Sequence, residues 1–382
     1  SIRGSSRAQV QVYWDGMLIN HGARGGVDLS MFPVEMLERV EIYRGFVPAA
    51  LGGAMGGAIH LVSKKSMGRR QIVGSLQTGS WGTLGGNAWY GEGSGAWRWL
   101  FHVMGLWSLG NFVYFDDRGT PLNEEDDEDA LRQNNDVRMF QTGAQVRWRT
   151  GRLRVRTHAQ FLAKEQGLPG IDLFRTQRSR LAQWSLLGGI GMVLQRWPWA
   201  RSRLQVTMDG RITEEWFDDR FAELGVQQQQ SRVQTTSLEL RSLWEHWFSV
   251  TDRLQVPLRV RMEGVQEESE LRERSDVREG PRRWRFWMAA QYNGTWLPWL
   301  GGVLALRGEG LWSQSDQKQI AQWFPSGRIG MWLQPFSWLK LKANFGRYVR
   351  VPQLWELFGS RRTMRGNPDL RAESGWMSDL GV

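Results

Sequence analysis

ERVEIYRGFVPAALGGAMGGAIHLVS, residues 38–63, is the stretch on which the reading of the fold turns. It opens as a short strand, Glu38 to Tyr43, with Val40 and Ile42 on one side and Arg39, Glu41 and Tyr43 on the other. Arg44-Gly45 ends that strand and Pro48 blocks a helix. Four glycines between Gly52 and Gly57 then force a tight, close-packed turn. A second strand follows from Ala58 to Val62, before Ser63-Lys64-Lys65. Ahead of this stretch the chain reads as a small mixed domain. Behind it the chain reads as one long antiparallel meander.

The small domain begins with AQVQVYWDG, residues 8–16, where Val10, Val12 and Trp14 alternate with Gln9, Gln11 and Tyr13 as in a half-buried strand. Asp15-Gly16 supplies a turn. NHGARGG, residues 20–26, has no period and reads as a polar loop. Pro33 to Leu37 suits one or two helical turns. The glycines do not make a phosphate loop, because no Lys-Ser or Lys-Thr pair stands at the required spacing.

From Gln71 onward the period is two. Phe140, Thr142, Ala144, Val146 and Trp148 oppose Gln141, Gly143, Gln145, Arg147 and Arg149, and Leu204, Val206 and Met208 oppose Arg203, Gln205 and Asp209. Alternation alone fits any half-buried antiparallel sheet. The connections decide the matter. Short ones at 91–96, 150–151, 196–200, 248–253, 297–300 and 335–338 alternate with long ones at 116–135, 166–181, 217–231, 266–283, 313–323 and 349–373. Short turns on one rim and long loops on the other mark a transmembrane β-barrel. Trp197, Trp199, Trp247, Trp296, Trp299 and Trp338 flank the short turns as an aromatic girdle. About 14 strands are expected, at ~10 residues each plus connections.

Composition agrees. The 382 residues hold 23 Trp and 45 Gly, yet only 41% are hydrophobic, so amphipathic rings at an interface fit better than Trp in soluble cores. There is no Cys, which excludes disulfides and thiol catalysis. The net charge of +10 admits anionic partners. Its arginines are spread through alternating strands rather than gathered in arms, which argues against nucleic acid. No Ser-His-Asp order, metal-ligand spacing or close carboxylate pair marks an enzyme, and no cofactor or metal site is expected. The acidic run Glu124 to Asp129 offers hard oxygen ligands for Ca2+, but without the EF-hand spacing it reads more simply as a solvated loop.

A glycine-rich domain feeding such a barrel resembles the TonB-dependent outer-membrane receptors. VYWDGMLIN with VDLSMFPVEMLERVEIYRG resembles the late plug of that family, and GGAMGGAIHLVSKK resembles its plug ending, with His60 where Asn is usual. RVPQLWELFG through RGNPDLRAE and GLPGIDLFRTQRSRL resemble barrel segments. The resemblance implies an all-β antiparallel transmembrane barrel of roughly 22 strands in the full protein, with a small α+β plug in its lumen. It places plug in residues 1–65 and barrel in 66–382, C-terminally incomplete, with the TonB box before Ser1.

The resemblance also implies function. The expected activity is import of a scarce ligand, of the ferric siderophore or cobalamin type, across the outer membrane of a Gram-negative bacterium. Energy would come from the inner-membrane TonB complex, and lipopolysaccharide would be a further partner. A passive plugged porin or an adhesive barrel is the alternative. Asn20, His21 and Arg24 of the apical loop, with Leu51 from the next turn, are the expected ligand contacts. The same His21 and Arg24 could instead bond the barrel wall. Arg39 and Arg44 are expected to latch the plug to barrel carboxylates, with Glu239 and Glu309 as partners by position.

Overall fold

The computed structural model describes residues 9–20, 25–32, 34–52, 55–65, 68–120, 122–170, 175–225, 228–271, 274–315, 318–359 and 365–382, without the side chains of 269–279. A four-stranded sheet comes first: β1 (Gln11–Trp14), β2 (Met17–Leu18), β3 (Leu37–Tyr43) and β4 (Ala58–Ser63), in the order β2-β1-β4-β3. The β1 and β4 strands run parallel and the other pairs antiparallel. Gly57 enters β4 at φ 101°, where a Cβ would collide with the Tyr43 carbonyl. The helical expectation for Pro33 to Leu37 is met by single 3-10 turns at Leu29–Met31 and Val34–Met36. Val40 and Ile42 share a side as the alternation predicts, but that side is exposed, because β3 is an edge strand.

The remaining chain forms a wall of fourteen antiparallel strands, in agreement with the number expected. These are β5 (Gln71–Gly79), β6 (Thr83–Ser94), β7 (Trp97–Ser108), β10 (Val137–Thr150), β11 (Leu153–Gly167), β12 (Arg180–Gln195), β13 (Ser202–Asp219) and β14 (Gln229–Trp247), then β15 (Arg253–Leu271), β16 (Arg274–Leu297), β17 (Leu300–Gln314), β18 (Gln319–Phe336), β19 (Leu339–Arg350) and β20 (Glu373–Gly381). A separate hairpin, β8 (Val113–Asp116) with β9 (Glu128–Leu131), stands in the loop after β7. Each wall strand pairs with its sequence neighbour, β7 passing over the hairpin to β10. The loop after β19 carries one helix, α1 (Leu354–Phe358).

Two loops expected to be long are mostly strand. The 266–283 segment is paired through Leu271 and again from Arg274, and 313–323 is interrupted only between Gln314 and Gln319. Their polar side chains carry no burial signal, yet antiparallel pairing satisfies their backbone groups.

The wall is apolar outside and polar inside. Met208, Leu238, Leu240, Leu258, Met288, Leu304, Leu306 and Ile329 are exposed on its outer face, while Gln141, Gln160, Asp209, Glu239, Arg259, Arg261 and Glu309 are buried on the inner one. Such an inversion suits a wall with lipid outside. Trp197, Trp199, Trp296, Trp299 and Trp338 are exposed at the short-turn rim, and Trp216, Trp284, Trp312 and Trp323 form a second band. Trp284 and Trp296 lie twelve residues apart on one outward face. At about 3.3 Å per residue and ~45° tilt this spans roughly 28 Å, the depth of a hydrocarbon core. Trp247 is the exception in the girdle: it has the parity of buried Glu245 and lies under the Arg203 guanidinium.

The small sheet packs inside this wall. Its main core joins Val12, Trp14, Met17, Ile19, Met31, Phe32 and Leu61 to Leu162 and Leu187 of β11 and β12. Plug and wall therefore share one apolar cluster.

Candidate functional site

The β1–β2 hairpin is where the wall grips the plug. Its turn, Asp15-Gly16, has φ of 46° and 88°. These are the left-handed values of a two-residue hairpin, which Asp-Gly adopts readily. A Cβ at Gly16 would overlap the Arg241 guanidinium, so glycine is needed twice over. The Asp15 carboxylate accepts from Ser63 N at 3.0 Å, Ser63 Oγ at 2.6 Å and Arg156 Nη1 at 3.2 Å. Burial alone would raise its pKa, but Arg156 and the Ser63 donors outweigh that and hold it below the usual 3.8.

Strand register builds the opposing surface. Asp209, Glu239, Arg261 and Arg285 face one another across β13–β16, and Thr207, Arg241, Arg259, Trp287 and Glu309 form the next rung across β13–β17. Opposite charges therefore meet across a rung, diagonally and along one strand. Arg259 Nη1 and Arg261 Nη1 each stand 3.2 Å from Glu239, and Arg241 Nε is 3.3 Å from it. Arg241 also pairs with Asp209, and Arg285 and Arg307 with Glu309. Arg259 lies 5.6 Å from the Tyr13 ring and 5.0 Å from that of Trp287.

The same guanidiniums then donate to the plug backbone. Arg241 reaches Asp15 O at 3.2 Å, Arg259 reaches Gly16 O at 3.1 Å and Ala50 O at 3.2 Å, and Arg261 reaches Leu18 O at 2.8 Å. Arg211 donates to Ile19 O. Carbonyls along the hairpin are thus held by four neighbouring wall arginines. Each such charged hydrogen bond contributes about 1.5–3 kcal/mol.

The other side of the plug differs. Trp14, Met36, Ser63 and Lys64 face Trp89, His102, Gln145 and His158 across an open cleft. Across the cleft Gln145 Nε2 stands 3.5 Å from Ser63 Oγ and Lys64 lies over the Trp89 ring at 5.6 Å. At its β10–β11 border Arg156 meets Asp15, Lys164 meets Asp28 at 2.7 Å and Gln141 donates to Met31 O. Above the wall, the long loops are stitched together. Arg175 bridges Asp116 and Glu128 of the β8–β9 hairpin, and Asn134 donates to Leu168 O at 3.3 Å and Ser179 O at 2.8 Å.

The expected site residues fall unevenly on this frame. Glu239 and Glu309 are buried at the plug-facing wall, but their cations come from the wall itself. The pairing expected for Arg39 is corrected: Arg39 bonds Glu41 at 2.7 Å and Glu38 at 3.4 Å on its own exposed strand. Glu41 also accepts from His60, its register partner on β4, at 2.9 Å, and from Tyr43 at 2.9 Å. Against the cost of burial, these donors lower the Glu41 pKa to about 2. Arg44 is exposed and forms no ion pair among the described residues. The physical reason is position: β3 is the plug edge farthest from the gripped hairpin.

Asn20 is buried, and its amide serves the plug backbone. It accepts from Val12 N at 2.7 Å and donates to Val10 O at 2.9 Å and Gly25 O at 3.0 Å. Leu51, expected as a ligand contact, is buried and packs with Tyr13, Val47 and Ala58. His21 and Arg24 lie outside the described residues. Sequence reasoning missed Arg211, Arg241, Arg259 and Arg261. Their signal was charge at period two, as in Arg259-x-Arg261-x-Glu263, but which of those charges meet depends on register.

A plug held inside a β-barrel wall defines the class. Residues 1–58 match the model of the TonB-dependent Receptor Plug Domain. The fold is similar to that of the copper transporter OprC, with TM-score 0.78 and 12% identity over 97% of this chain and 61% of that one. The siderophore receptor PiuA from Acinetobacter baumannii gives 0.76 and 11%, over 100% and 63%. The outer-membrane ferripyoverdine receptor of Pseudomonas aeruginosa, solved with ferripyoverdine, gives 0.74 and 12%, over 97% and 54%. At these identities the likeness is one of fold, and the chain spans 54–63% of the length of these structures.

Proposed function

We propose that the protein acts as an outer-membrane receptor of a Gram-negative bacterium, importing a scarce ligand of the ferric siderophore or cobalamin type with energy delivered by the TonB complex. Residues 1–65 serve as plug and 66–382 as barrel in this reading. The observation that carries it is the grip on the β1–β2 hairpin. The wall holds the plug through its backbone carbonyls by four arginines. Three of these, Arg241, Arg259 and Arg261, already have carboxylate partners, so a released plug leaves those three still paired. Water can replace each carbonyl bond in turn at modest cost. Such an attachment resists leakage and yields to a directed pull.

Ligand contacts fall to His21 and Arg24, and lipopolysaccharide to the outer rim. The test is uptake by the full-length protein of ferric siderophores and cobalamin, before and after collapse of the proton-motive force. Saturable uptake that vanishes on collapse is expected. Binding without energy-dependent uptake would replace this reading with a passive or adhesive barrel.

A further inference from the structure

Above the gripped hairpin, the plug and the β15–β16 wall line a second, smaller cavity. Its floor is Leu18 and Asn20, its wall Arg261, Glu263, Arg283 and Arg285, and Gln353 closes it. Gln353 caps α1, whose Leu354 and Phe358 pack on Val233 and Val265 of the wall. Register explains the charge. Glu263 faces Arg283 on one rung, with Arg261 and Arg285 on the rung below.

Three guanidiniums thus meet one carboxylate in this cavity, and the neighbouring charges are already engaged. Arg285 is on Glu309, and Arg261 is on Glu239, Leu18 O and, at 3.4 Å, Glu263. Glu356, the carboxylate of α1, takes Arg350 at 2.9 Å and Gln353 N at 2.6 Å. Arg283 is left over. It is only 5% exposed, its Nε donates to Ser313 Oγ at 3.0 Å, and its Nη2 meets no acceptor among the described residues. The Arg261 Nε is likewise without an acceptor. A buried guanidinium with an idle N–H is costly unless an anion meets it. Guanidinium forks match the paired oxygens of carboxylate and phosphate.

We propose that this cavity binds a small oxyanion of the phosphate or carboxylate class, held by Arg283 with Arg261 and Arg285, and that the anion fastens the plug to the wall beside Leu18 and Asn20. The site lies beneath the outer loops, one of which closes it through Gln353, and the proposal does not depend on which ligand is imported.

The test uses full-length protein in detergent, in phosphate-free buffer of low ionic strength. Inorganic phosphate and acetate are titrated calorimetrically, with thermal melting in parallel. At least one of them should bind saturably at one site and raise the melting temperature. R283Q should weaken binding at least about tenfold, the factor expected when roughly 1.4 kcal/mol is lost. E263Q removes the competing carboxylate and should tighten binding severalfold. R203Q, at the opposite rim on Glu245, should bind as the natural protein does. Absence of saturable binding by both anions overturns the proposal, and so does R283Q binding unchanged. If R283Q does not fold, E263Q decides: tighter binding supports the site and unchanged or weaker binding overturns it.

Discussion

The plug meets its wall in two different ways. Toward β13–β15 it is held by arginines donating to carbonyls from Asp15 to Ile19. Toward β6–β11 it faces an open cleft with one long hydrogen bond and one cation–ring contact. Beside that cleft it meets β10 and β11 through separate contacts: Gln141 on Met31 O, Arg156 on Asp15 and Lys164 on Asp28. The grip has direction. A pull that tilts the plug about the hairpin breaks scattered contacts on the cleft side, whereas displacement from the β13–β15 side must break a cluster of charged bonds together. The seam and the hinge of such a movement are thus laid down by where register places arginine.

The largest effect belongs to the gripped side. R259Q together with R261Q removes carbonyl donors and leaves Glu239 with Arg241 alone, and breaking such a buried pair costs about 3–5 kcal/mol. Urea denaturation should show an earlier loss of plug structure, and planar-bilayer recordings a leak. Unchanged conductance and stability would erase the contrast between the two sides.

Asp15 sharpens it. D15N exchanges charged hydrogen bonds for neutral ones, an expected loss of about 1.5–3 kcal/mol. Because the folded pKa lies below the ordinary 3.8, the carboxylate's stabilisation is complete above that pH and disappears as pH falls through the depressed value. Melting temperature should therefore drop on acidification in the natural protein and drop less in D15N. Equal acid sensitivity would assign the drop to other carboxylates.

The chain has no native Cys, so single cysteines report each side directly. His102→Cys in the cleft should react with a small thiol reagent about tenfold faster than Gln291→Cys, which is buried opposite Ala49 N, if local opening costs differ by roughly 1.4 kcal/mol. Equal rates would mean that both sides breathe alike.

The smallest effect concerns the exposed edge strand. Arg39→Ala removes only surface pairs worth about 0.2–1 kcal/mol, so stability and uptake should hardly change. An Arg39 variant that abolished uptake would restore a latch carried by the plug.

Much of this architecture is local and therefore legible. Asp15-Gly16 announces a two-residue turn, and the glycines before Ala58 a tight entry to a strand. Alternation from Gln71 onward specifies strands, their faces and their number, because side-chain period is a property of each strand alone. Even the inverted polarity is visible, since Glu239-x-Arg241 and Arg259-x-Arg261 opposite exposed leucines admit no other placement than a wet interior. Where alternation carried no apolar set, as in 266–283, the pairing could not be seen.

The chain by itself determined a plug followed by a barrel wall, and a wall interior rich in charge. It did not determine which charges meet. Glu239 and Glu309 were visible as inward carboxylates, but their partners come from neighbouring strands fixed by hairpin register, and Arg39 fell to its own strand instead. Ion pairs and carbonyl bonds act only over a few ångströms. Only the tertiary structure, by stacking Asp209, Glu239, Arg261 and Arg285 into one rung against the β1–β2 hairpin, decided where the plug is held and where it is free.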